Sequence, residues 1–114
     1  MERPQRGDRI LILKQPWLGL LLSRQKTLEI RGAALRRGKY FIGYKKVIQA
    51  IVILGEPRRI ATNEQFALLY DQHKVPGTLP YKKTFGLPVV EIRKCRRVRY
   101  THPRGAIGIV VYRE

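Results

Sequence analysis

Cysteine, histidine and serine are almost missing from this chain. Cys95 is the one cysteine, which excludes an internal disulfide and any zinc site built on paired cysteines. His73 and His102 are the two histidines, far apart in the chain, too few for a histidine-based metal centre, so neither a metal nor any other cofactor is expected. Ser23 is the one serine and has no nucleophile-elbow glycines around it, which removes a serine hydrolase triad. Glycine-rich phosphate loops of the nucleotide-binding kinds are absent as well. Long apolar runs are lacking: Leu20–Leu22 and Ala50–Leu54 fall far short of the roughly 20 residues that a spanning helix needs. Charged residues break up Met1–Lys14 before any apolar segment of signal-peptide length, so a cytoplasmic protein without membrane attachment is expected.

Acidic residues are scarce too. The 114-residue chain sets 24 Lys and Arg against 8 Asp and Glu, a formal charge of +16 and a pI of about 10.8. With 44% hydrophobic residues the chain carries enough apolar surface to fold in spite of that self-repulsion, and its length suits a single domain over residues 1–114, expected to be a monomer. A domain that retains such an excess of cations calls for a polyanion as partner, nucleic acid first.

Short elements follow from the pattern. Arg9–Lys14 reads as a buried strand, Pro16 to Gln25 as a short helix with a wide apolar stripe, and Lys26–Arg31 as a strand alternating in period two. In that strand Leu28 and Ile30 point to one face, towards the core, while Thr27, Glu29 and Arg31 point to the other, a polar face suited to a functional cleft, with a solvated intrastrand salt bridge as the plainer alternative. Lys39–Lys45 and Val47–Leu54 continue as strands, with Arg58-Arg59 read as the close of the second. Thr62-Asn63-Glu64-Gln65 has the form of a capping box opening a helix that carries Phe66, Leu69, Tyr70 and His73 on one face. Leu87–Arg93, Arg97–Tyr100 and Ala106–Tyr112 complete the strands. The sum is a mainly β, α+β domain with two short helices, expected to close into an antiparallel barrel. Its core is expected to hold Ile10, Ile12, Leu21, Leu28, Ile30, Ile51, Ile53, Leu69, Ile109 and Val111.

The segment Gln15-Pro16-Trp17 followed by Arg24-Gln25-Lys26-Thr27-Leu28-Glu29-Ile30-Arg31 resembles the signature of the ASCH family, named for the activating-signal-cointegrator homology domain. That signature runs Gly-x-Lys-x-x-Glu-x-Arg; Lys26, Glu29 and Arg31 match it, and Arg24 stands where the glycine would be. Near the other end, Tyr100-Thr101-His102-Pro103-Arg104-Gly105 is similar to the family's closing Tyr-x-His-x-x-Gly segment. The resemblance implies a β-barrel like the RNA-binding PUA domain, with a cleft beside the first helix lined by the motif residues.

Three function classes stay open. The leading one is a module that binds RNA or single-stranded DNA, with Lys26, Glu29 and Arg31 in the cleft and Thr27 and Arg24 beside it. Trp17 would stack a base, and Lys45, Lys46, Arg96 and Arg97 would touch phosphates. Tyr44, Tyr81 and Tyr100 are further aromatic side chains able to stack. The second is a small nucleic-acid-directed hydrolase, a ribonuclease or an amidohydrolase on acylated cytidine, in which Lys26 and Glu29 would be catalytic. Glu29 stands where the deacylating members of the family carry threonine, which speaks against the amidohydrolase, and Glu64 and Asp71 are only loose candidates for their distant glutamate. The third is an adaptor for an acidic protein partner.

Overall fold

An eight-residue run without a charge, Val47–Leu54, must be covered on both faces and along both edges, and it becomes the middle strand of the sheet. A computed structural model describes residues 1–114. The elements in chain order are β1 (Arg9–Ile12), α1 (Trp17–Leu22), β2 (Leu28–Arg31), β3 (Gly38–Tyr44), β4 (Val47–Leu54), β5 (Arg58–Ile60), α2 (Asn63–Leu68), α3 (Tyr70–His73), β6 (Thr84–Arg93) and β7 (Ile109–Val111). The main path of the sheet runs β2-β6-β4-β3-β1-β7, and β5 pairs with β6 off that path. Only β1 and β3 are parallel.

The ten-residue β6 turns this sheet around the core. Its first half pairs with β2 and β5, its second half with β4, so β2 is carried round towards β1. Closure into the expected barrel does not follow. No ladder joins β2 to β1 or β7; the Arg31 side chain spans the gap instead, its Nη2 donating to the Ile12 carbonyl at 2.9 Å. With four residues in β2 and three in β7, neither edge is long enough to exclude a side chain from the seam.

Both faces of the central sheet are packed. Leu11, Leu13, Tyr40, Ile42, Ala50, Val52 and Leu87 lie with Leu18 and Leu21 of α1 on one side, and Ile10, Phe41, Ile48, Ile51, Cys95, Tyr100, Val110 and Tyr112 on the other. A smaller cluster joins Leu28 and Ile30 to Ile60 and Phe66. At roughly 1.5–3 kcal/mol for each large apolar side chain removed from water, these three groups supply the main stabilisation.

Several expectations are corrected. Three helices form instead of two, because the backbone at Leu69 leaves the helical region (φ −97°, ψ 7°) and divides the second into α2 and α3. The cap at Thr62 forms, its Oγ1 accepting from the Gln65 amide at 3.1 Å, while the Gln65 side chain reaches back one residue further than a capping box requires, to the Ala61 N–H. Arg58–Ile60 is a strand rather than a turn, and Arg97–Tyr100 makes only an isolated bridge, Val47 to Arg99. In β7 the inward residue is Val110, with Tyr112 beyond it, and Val111 is exposed. A run of apolar residues has no alternation to set its parity; the pairing of Val110 with Ile10 sets it here. Ile12, Ile53, Leu69 and Ile109 are half-buried.

One close approach is tight enough to test. A Cβ on Gly43, at the bulge between Ile42 and Gly43, would stand 2.6 Å from the Tyr100 hydroxyl and 2.7 Å from Ile10 Cγ2, both on buried side chains. Gly43→Ala is expected to cost about 1–3 kcal/mol through overpacking. Urea denaturation reads this directly, and an unchanged midpoint would mean that Tyr100 is not held there.

Candidate functional site: a cleft in the open seam

The seam between β2 and β1 is where the signature residues meet. Backbone bonds fix the approach: the Lys26 N–H donates to Leu20 O at the end of α1, Thr27 N–H donates to Gln72 O, and Thr27 O accepts from Val89 N–H. Held at both ends, the chain sends Lys26 inward, and its side chain is 2% exposed. Lys26 Nζ donates to the His73 carbonyl at 2.6 Å, stands 3.8 Å from Glu29 Oε1 and lies 5.4 Å from the centre of the Trp17 ring. Glu29 is 3% exposed and accepts from Arg31 Nε at 2.7 Å through Oε2. The polar face of β2 is therefore enclosed at Glu29, which sets aside the alternative of a solvated salt bridge, while Thr27, expected on the same face, is exposed. The reason is the turn of β6, which brings β2 against α1, α3 and the end of β1.

Enclosure changes the chemistry of these groups. Burial lowers the pKa of the Lys26 ammonium from its ordinary value, with the neighbouring Glu29 carboxylate opposing and Arg31 adding to the fall. His73 is fully buried, stacked on Phe66 with ring centres 4.1 Å apart. The Val75 N–H donates to its Nδ1 at 2.8 Å, so Nδ1 must accept, and the proton sits on Nε2, which donates to Phe66 O at 2.7 Å. Burial above all lowers the pKa of this imidazole, and the Lys26 charge acts in the same direction. His73 thus stays neutral and holds the end of α3 where its carbonyl meets Lys26.

A cleft of about 380 Å³ opens on this group. Lys26, Glu29 and Arg31 supply its polar floor, Trp17 and Tyr81 stand in its walls, and Ile12, Ile30, Val75, Pro80 and Ile107 make much of the rest apolar. An apolar slot with few polar groups grouped in one place is the usual form of a small-ligand site. Gly108 enters beside Arg31, where a Cβ would lie 3.6 Å from the guanidinium.

The remaining signature and surface residues do not converge here. Arg24 is exposed, with a left-handed backbone (φ 65°), and donates to Ile92 O at 3.1 Å. Thr27 is exposed and does not line the cleft. Lys45 and Lys46 form the tip of the β3–β4 hairpin, both at positive φ. Lys46 borders a separate, shallower depression with Arg99, Tyr100, Thr101, His102 and Glu114. Arg96 and Arg97 are exposed, and Arg97 donates to Gln49 Oε1 at 2.7 Å. Tyr100 is buried against Gly43 and offers no stacking face, and Tyr44 is half-buried at the edge of the core, outside the cleft. The sequence pattern does not point to His73 as the anchor of Lys26, and it offers Tyr81 as a stacking side chain without placing it in the cleft; 47 positions separate Lys26 from His73, and no local periodicity spans that distance. No three His, Cys, Asp or Glu side chains group as metal ligands, and no helix is long and apolar enough to cross a membrane.

No family model matches this sequence, and neither does any curated protein. A solved structure does resemble it: the crystal structure of a point mutant of ZmASCH from Zymomonas mobilis superposes with a TM-score of 0.72, over 98% of this chain and 92% of that one, at 11% sequence identity. Seven strands, three short helices and an open seam beside α1 thus make up an ASCH-like fold.

Proposed function

We propose that the chain binds single-stranded nucleic acid, RNA foremost, by taking one unpaired base into the seam cleft while exposed arginines and lysines hold the phosphates. One observation carries the reading: a buried carboxylate, Glu29, lies between two cations on the floor of an apolar slot with Trp17 in its wall. A nucleobase is flat and apolar on its faces and polar along its edge, and this slot has the same division. Glu29 keeps lone pairs beyond the one facing Arg31, and Lys26 keeps protons beyond the one given to His73. An acceptor and a donor therefore stand side by side, as a base edge requires. A paired base cannot enter such a slot, which favours single strands over duplex. The excess of cations over acids supplies attraction to phosphates that is independent of sequence.

Titration of labelled single-stranded RNA, single-stranded DNA and duplex DNA at two salt concentrations tests this. Binding is expected for the single strands, weaker for the duplex, and falling steeply with salt. Absence of binding to any of the three at low salt would overturn the reading.

The position of Lys26 favours one second reading, a hydrolase acting on a nucleobase derivative. A lysine with a lowered pKa next to a carboxylate is placed for proton transfer. Release of acetate from acetylated cytidine, or cleavage of single-stranded RNA, by the unmutated protein would establish that reading.

A further inference from the structure

We propose that Tyr81 is a base-stacking wall of the cleft and that Lys82 and Lys83 take the adjoining phosphates, so that the ligand is a strand of at least two nucleotides rather than a free nucleoside. The inference rests on the binding reading above and names its substrate class.

The loop from Thr78 to Lys83 is built to hold one aromatic ring in place. Its first half is tied to α2, the Leu79 N–H donating to Asn63 Oδ1 at 3.0 Å. Its second half closes on Thr84, a side chain only 1% exposed, whose hydroxyl accepts from the Tyr81 N–H at 3.3 Å and donates to the Tyr81 carbonyl at 3.1 Å. Pro80 restricts the backbone between the two ties. The Tyr81 ring rests on Gly32, directly after β2: a Cβ there would stand 3.0 Å from Cδ1 and 3.1 Å from Cγ. Despite these ties the residue remains 48% exposed and lines the cleft. A tyrosine backed on one side, fixed through its backbone and open on the other side is arranged as a platform for a flat ligand rather than as part of the core.

The charges outside the cleft extend the argument. Lys82 and Lys83 follow Tyr81 without a break, both are exposed, and neither makes an ion pair. Arg58 and Arg59 of β5 lie on the neighbouring strand, Ile60 pairing with Thr84, and are likewise exposed and unpaired. Two unpaired lysines directly beside a stacking ring, with two more unpaired cations on the adjoining strand, suit the backbone of a polymer. A neutral nucleoside gives them nothing to bind.

Fluorescence anisotropy with a mixed-sequence single-stranded RNA, in competition with free nucleosides, tests the proposal on the full chain. Tyr81→Ala is expected to weaken RNA binding on the order of 10- to 100-fold, the loss typical of one stacked base, while Tyr81→Phe keeps it. Lys82→Ala with Lys83→Ala should make the logarithmic salt dependence shallower by about 0.7 for each phosphate that is no longer neutralised. Gly32→Ala should weaken binding by pushing the ring out of line. Circular dichroism melting reports whether each variant is folded, and Tyr81→Phe separates the ring from the fold. If the unmutated protein binds RNA and Tyr81→Ala binds equally well, or if free nucleosides compete as strongly as the strand, the inference is overturned alone. If the unmutated protein binds no RNA at all, the underlying reading falls with it.

Discussion

Glu29→Gln is expected to lower stability by about 3 kcal/mol and to abolish selective binding of single strands. The stability figure follows from what the carboxylate does in the seam. It is 3% exposed, it faces a fully enclosed ammonium at 3.8 Å, and it holds the Arg31 guanidinium at 2.7 Å. Breaking a buried pair by removing one partner leaves an uncompensated charge, at a typical cost of about 3–5 kcal/mol. The glutamine oxygen still accepts from Arg31, which puts the change near the lower end. Binding gives the more informative result. Removing a negative charge from a +16 protein should strengthen attraction to any polyanion, so weaker binding means that the carboxylate itself touches the ligand. Urea denaturation gives the stability, and RNA titration well below the transition gives the affinity of the folded variant. Tighter or equal RNA binding would remove Glu29 from the recognition site and leave a general polyanion binder.

This expectation differs from what β2 alone suggests, and the difference marks how far the sequence can be read. Period-two alternation in Lys26–Arg31 placed Leu28 and Ile30 correctly on the inner cluster. It assigns Thr27, Glu29 and Arg31 to the opposite face, which holds for Glu29 and Arg31, and leaves open whether that face is a cleft or a solvated surface. Alternation reports on which side of a strand a residue lies, never on what covers that side. Cover comes from residues distant in sequence: α3 by way of His73, β1 by way of Ile12, and the Tyr81 loop. The signature Lys26, Glu29 and Arg31 was legible because its spacing is local. Arg24 and Thr27 belong to the same local string, but Arg24 sits in the exposed turn after α1 and Thr27 is exposed directly before β2, so adjacency in the chain does not bring them to the cleft. Closure of the barrel is out of reach of the sequence for a similar reason. Strand count and length are local quantities, whereas closure depends on whether two edges meet, and here one guanidinium stands between them.

Lys26 separates a structural role from a recognition role more sharply, through two substitutions that should agree in one assay and differ in another. Lys26→Ala removes an enclosed four-carbon stem, leaves a cavity beside Trp17 and strips the His73 carbonyl of its donor. Cavity formation and one unpaired buried acceptor together cost about 2–4 kcal/mol. Lys26→Met refills the volume without the charge. It still leaves the His73 carbonyl unpaired and the buried Glu29 carboxylate with Arg31 as its one cation, a loss that relief of the ammonium's desolvation offsets in part. A loss of about 1–3 kcal/mol, without the cavity contribution of the alanine variant, is therefore expected for the methionine variant. Binding should be lost in both, since neither offers a donor to a base edge. A methionine variant that binds RNA normally would confine Lys26 to a structural role. The pH dependence supplies a further readout. The folded pKa of Lys26 lies below the unfolded value of 10.5, so between the two the unfolded chain holds a proton that the folded chain has released. Stability contributed by this residue must then rise with pH through that window and level off above 10.5. Subtracting the methionine variant's stability curve from that of the unmutated protein cancels the other lysines and tyrosines. A difference that falls with pH, or stays flat, would mean that the ammonium is not buried as the structure places it.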